Sequence, residues 1–148
     1  MHPGVAAATM ALAALAVATP PRSVAASTEP PSACSARLVV DTTAHPPSCF
    51  IDERVTRAPG VLEYACAGGA ATATFGDNRF AGSLAGGRLD VGLHTRFTFS
   101  DHCRWESRQR IQGALGSKQL SYSYSEAPLP GQKGCAQACR ATAIVRVE

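Results

Sequence analysis

The densest run of side chains able to do chemistry is Ser100-Asp101-His102-Cys103-Arg104-Trp105-Glu106, which brings together a hydroxyl, two carboxylates, an imidazole and a thiol. Acid/base work needs an imidazole or carboxylate within hydrogen-bond reach of the proton it moves, and a nucleophile needs such a base beside it. On that reading Asp101, His102 and Glu106 would serve a hydrolase-like enzyme. Neighbours on a strand point to opposite faces, however, so closeness in sequence does not make them converge. The plainer expectation is a polar turn ended by a disulfide, and no catalytic residue is assigned. His45 lies in a Pro-rich loop and His94 on the wet face of its strand, and no Cys or His stands at ligand spacing from either. No metal site and no cofactor are therefore expected. The chain has no phosphate loop, no Gly-x-Ser-x-Gly elbow, no dinucleotide fingerprint and no Asn-x-Ser/Thr sequon.

A second group of residues could hold a ligand rather than transform it. Gln109 and Glu126 share the apolar phase of their strands with Trp105, Tyr122 and Tyr124. Burying an amide or carboxylate without partners costs roughly 1–3 kcal/mol or more, so something must satisfy them. These five residues are the ligand-binding candidates, as polar anchors in a small apolar cavity. The competing explanation is mutual hydrogen bonding at the open end of a barrel.

The elements that position both groups follow a period of two. Leu89, Val91, Leu93, Thr95, Phe97 and Phe99 share one phase, against Arg88, Asp90, Gly92, His94, Arg96 and Thr98 in the other. Trp105, Ser107, Gln109, Ile111, Gly113 and Leu115 likewise alternate with Arg104, Glu106, Arg108, Arg110 and Gln112, while Leu120, Tyr122, Tyr124 and Glu126 alternate with serines. One face is core and the other is wet. Strand candidates cover residues 37–41, 49–56, 61–66, 70–75, 79–84, 88–99, 104–115, 120–126 and 142–147. Turn residues separate them at 57–60, 68–69, 76–78, 85–87 and 116–118.

The expected fold is all-β: an antiparallel meander of about eight or nine strands that closes into a barrel to cover its edges, with a two-sheet sandwich as the alternative. Its size and strand count resemble those of small up-and-down ligand-binding barrels of the lipocalin and avidin kind. No motif of either occurs, so the likeness implies architecture and not function. One hairpin can be set in register: Leu115 opposite Leu120 puts Gly113 against Tyr122, Ile111 against Tyr124 and Gln109 against Glu126.

Six cysteines, Cys34, Cys49, Cys66, Cys103, Cys135 and Cys139, contain no Cys-x-x-Cys pair and imply three structural disulfides rather than a metal site. Counting chain reversals puts Cys49 and Cys66 at one end of the meander and the other four at the opposite end. That predicts a Cys49–Cys66 bridge, Cys103 bonded to Cys135 or Cys139, and Cys34 bonded to the one left over. A local Cys135–Cys139 bridge with Cys34–Cys103 is the rival.

Cysteine use agrees with the N-terminus. Residues 5–17 form an apolar run too short to span a bilayer, followed by Val24-Ala25-Ala26, so residues 1–26 read as a signal peptide, 27–33 as a disordered lead-in and 34–148 as one domain. The n-region lacks the usual Lys or Arg. The expected location is secreted or periplasmic. Acylation of Cys34 is disfavoured, because it lies well beyond the apolar run and its loss would strand an odd thiol. Beyond residue 26 there are 13 basic and 11 acidic side chains, a net charge of +2, too small to point to nucleic acid. Arginines far outnumber Lys118 and Lys133, and with the abundance of Ala this suggests a GC-rich bacterial source. The function expected from sequence is a binding module for a small molecule or a protein, with the hydrolase as alternative.

Overall fold

Alternation of apolar and polar residues, punctuated by glycine turns, produces eight antiparallel strands in the computed structural model, which describes residues 32–41, 51, 53–98 and 102–148. They are β1 (Ala33–Asp41), β2 (Gly60–Ala65), β3 (Gly69–Phe75), β4 (Asn78–Ala85), β5 (Arg88–Thr98), β6 (Arg104–Ala114), β7 (Gln119–Pro128) and β8 (Cys139–Val147). Each pairs with the next, and β1 closes onto β8 from Leu38 opposite Val147 to Asp41 opposite Ile144. The result is a closed up-and-down barrel and not a sandwich, and closure removes the edges that a meander would expose. The chain enters β1 at what is here termed the proximal end, which also holds the β2–β3, β4–β5 and β6–β7 turns. The β3–β4, β5–β6 and β7–β8 connections lie at the distal end.

The inner face is filled by the barrel's own side chains. Leu38, Leu62, Phe75, Phe80, Val91, Ile111, Tyr122 and Val145 have essentially no exposed surface. Phe80 packs edge-to-face on Phe75 and Tyr122, with ring centroids 5.9 and 6.4 Å apart. Gly60 is inward because nothing larger fits: a Cβ there would meet the Phe75 ring at 2.5 Å.

One expected strand is not a strand. Within residues 49–56, Glu53–Thr56 form a single helical turn, α1, while Cys49, Phe50 and Asp52 lie outside the described residues. Ile51 and Val55, four residues apart, are both buried in the core. The Arg57 guanidinium bonds Glu53 at 2.8 Å one turn away, as helical spacing allows. The i, i+4 apolar pair was the signal for helix, masked by the β-branched residues around it.

That surplus strand explains the disulfide errors. One strand too many reverses the direction of everything before it, so Cys34 was assigned to the wrong end. In fact Cys34 bonds Cys66 at the proximal end, with Cα atoms 5.1 Å apart, which rules out both the Cys49–Cys66 and the Cys34–Cys139 bridges. Cys103 bonds Cys135 at the distal end, one of the two expected pairings, and the rival set with Cys34–Cys103 is excluded too. Cys139 is also disulfide-bonded. Cys49 lies outside the described residues.

The β6–β7 hairpin also differs from expectation, by two residues. Ile111 opposes Tyr122, Gln109 opposes Tyr124 and Ser107 opposes Glu126. A 3₁₀ turn over Leu115–Ser117 starts the four-residue loop one residue earlier, with Lys118 in the left-handed region at φ 58° to close it. A shift of two keeps every residue on its expected face, as a shift of one would not. Gly113 therefore makes room for Leu120 rather than for Tyr122: a Cβ would lie 3.2 Å from Leu120 Cδ2 and 3.4 Å from its Cα.

Candidate functional site

Strand lengths make the barrel lopsided. The strands β5 and β6 each run 11 residues, while β2, β3 and β4 have 6, 7 and 8. Beyond Gly92, where pairing with β4 ends at Ala81, β5 and β6 continue together to Thr98 and Arg104 at the distal end and carry their inner face with them. Four cross-strand rows climb this face: Val91–Ile111–Tyr122, Leu93–Gln109–Tyr124, Thr95–Ser107–Glu126 and Phe97–Trp105–Pro128.

Polarity rises with height. The first row is apolar apart from one phenol and wholly buried. In the second, Gln109 is 6% exposed, and its Oε1 accepts a hydrogen bond of 2.8 Å from the Tyr122 hydroxyl in the row below. The third row is polar throughout. Thr95 and Ser107 share a hydroxyl–hydroxyl bond of 2.6 Å, and the Tyr124 hydroxyl donates to the Glu126 carboxylate. Ser107 is buried and Glu126 half-buried, yet Thr95, in the inward phase, is exposed. Above them the Trp105 ring is 4% exposed and Phe97 and Pro128 are half-buried. The β7–β8 connection is tied across this end by the Cys103–Cys135 bridge and by the Arg104 amide, which donates to Gln132 Oε1 at 2.9 Å.

The five residues singled out from sequence thus share one face. Tyr122 and Gln109 form a closed pair in the depth of the barrel, so the buried amide is satisfied by the protein itself. Trp105, Tyr124 and Glu126 stand at the mouth. Sequence reasoning missed Thr95, Ser107 and Phe97, which complete the upper rows. The usable signal was the length of the alternation in β5 and β6, nearly twice that of β2. Chemically the mouth offers hydroxyls and one carboxylate framed by two aromatic rings, the composition that orients a small ligand by a few polar contacts within apolar surroundings.

The enzyme candidates are arranged otherwise. Glu106 points outward, where His94 Nε2 lies 3.1 Å and Arg108 3.3 Å from its oxygens. The hydrogen bond from His94, with the charges of Arg108, His94 and Arg96, holds the Glu106 carboxyl below its ordinary range. His102 is exposed at the β5–β6 connection, with φ 66°, and Asp101 lies outside the described residues, as does His45. A histidine and carboxylate are therefore paired, but the nearest outward hydroxyl in their row, Ser125, is two strands from His94 with Arg108 between. Two strand spacings are about 10 Å, far beyond the reach of a Ser–His bond. No group of three or more His, Cys, Asp or Glu able to hold a metal ion occurs among the described residues.

Comparison with known proteins returns no match from protein-family models, from curated proteins or from solved structures.

Proposed function

We propose that the barrel is a binding module that takes a small molecule at its distal mouth, with an apolar body against Phe97 and Pro128 beside Trp105 and a hydroxyl, amine or other donor directed at Glu126. The observation that carries this reading is Thr95, an inward-facing residue left exposed beside a row of polar side chains. A sealed barrel end would bury it. Deeper entry is blocked, because the rows below are filled and the Tyr122–Gln109 pair is closed.

The reading includes export. Three features support it: the apolar run at 5–17, the disulfides, and, among the described residues, the absence of any helix long and apolar enough to cross a membrane. Intact mass of the protein from its own host should place the N-terminus near Ser27, and retention of residues 1–18 would remove the export reading.

Native mass spectrometry of that same preparation tests the binding. The expected spectrum shows an adduct lost on acid denaturation, with a smaller adducted fraction in Glu126→Gln. Trp105 is the only tryptophan, so its emission should shift when the adduct is stripped. A wild-type spectrum at the bare chain mass, with unchanged emission, would overturn the proposal.

A further inference from the structure

The outer face of the same strands carries a second surface, independent of the mouth. Five arginines project from it: Arg96 on β5, Arg104, Arg108 and Arg110 on β6, and Arg140 on β8, with His94 among them. Two acids share the face, and both are engaged within it. Asp90 receives the Arg110 guanidinium through both oxygens, and Glu106 is held by His94 and Arg108. Arg96, Arg104 and Arg140 make no salt bridge among the described residues, and the Arg108 side chain remains 68% exposed.

The register fixes how these charges are spaced. His94, Arg108, Ser125 and Arg140 stand in one row across four strands. Adjacent strands lie about 4.8 Å apart, so Arg108 and Arg140 are rooted roughly 10 Å from each other on either side of the Ser125 hydroxyl. An open groove of about 440 Å³ runs past His94, Arg108 and Arg110, and meets a smaller one of about 170 Å³ against Arg140 at Arg108 and Ser125.

We propose that this face docks an extended acidic segment of a partner protein. Three features select that occupant. All five cations are arginines, whose planar forks match carboxylates in bidentate fashion. Arg104 and Arg108, four residues apart on one strand, are separated by about 13 Å, the interval between every second one of the alternate side chains that an extended peptide presents. The aromatic residues of β6 and β7, Trp105, Tyr122 and Tyr124, all point inward, so this part of the face offers no ring on which a nucleic-acid base would stack.

The test uses the whole protein and three labelled probes in fluorescence polarisation: a twelve-residue peptide of alternating Glu and Ser, its Gln and Ser counterpart, and a single-stranded oligothymidylate. The Glu peptide should bind, more weakly as salt is raised, and the Gln peptide should not. Arg108→Ala combined with Arg140→Ala should weaken binding by about fivefold or more, with Trp105 emission unchanged as the sign of an intact fold. Arg37→Ala, on β1 and four strands round the barrel from β5, should bind like wild type. Equal binding of the Gln peptide, indifference to the double substitution, or preference for the oligothymidylate would each overturn the proposal.

Discussion

Two rows on the inner face of β5, β6 and β7 are the most instructive comparison in the molecule. Val91, Ile111 and Tyr122 are wholly buried, whereas Thr95, Ser107 and Glu126, in the same phase and on the same strands, range from buried to exposed. The difference follows height along the strands: pairing of β5 with β4 ends at Gly92, and Thr95 lies beyond it. Phase determines the face a residue occupies, and position along the strand determines how deeply that face is buried. Toward the distal end the lining changes from aliphatic to hydroxyl and carboxylate.

The comparison sets the order of expected effects. Ile111→Ala should cost about 2–5 kcal/mol by denaturant unfolding, as large core truncations do, while Thr95→Ala should cost less than about 1.5 kcal/mol. Equal costs would mean that the distal row is as deep as the proximal one.

The two described disulfides extend the same contrast. Each closes a sequence separation of 32 residues, so loop entropy alone gives the two the same value, about 3–4 kcal/mol. Paired Cys→Ala variants should therefore lose similar stability. Only the distal pair, Cys103 and Cys135, should in addition alter Trp105 emission. If the proximal pair altered it equally, the staple across the mouth would have no local role.

A smaller effect is expected between the two regions. Tyr122→Phe strips Gln109 of its donor in a buried site and should cost roughly 1–3 kcal/mol. A neutral outcome would place water at the amide and open the barrel deeper than the structure has it.

The smallest effect lies on the outer face. The folded Glu106 carboxyl sits below its ordinary range, chiefly through the His94 hydrogen bond. Its contribution to stability is therefore present above the ordinary carboxylate range and lost as the pH falls through the folded value. An NMR titration of His94→Ala should find Glu106 moved back up toward the ordinary range. An unmoved Glu106 would assign the shift to the arginines instead.

The sequence disclosed faces more readily than connections. Every residue from Leu89 to Val91, from Trp105 to Gln112 and from Leu120 to Tyr124 lies on the face that alternation assigned it, because a period of two is a local property. The β6–β7 register slipped by two because a 3₁₀ turn and a Leu-Gly-Ser loop look alike in composition. The single Cys34–Cys66 bridge departs from expectation for a topological reason: reading residues 49–56 as a strand inverts β1 and moves Cys34 to the wrong end. As for the candidate site, Trp105, Tyr124 and Glu126 were within reach of pattern reading. Thr95 and Ser107 were not, since a hydroxyl in the dry phase is informative only once its height in the barrel is known.

The most direct test of the mouth is solvent accessibility along β5, read by methyl NMR with a soluble paramagnetic agent. The account expects the Thr95 methyl to be strongly broadened while the Val91 methyls, four residues along the same inner face, stay sharp. Equal protection at both positions would mean that the distal end is sealed, and would contradict the binding site placed there.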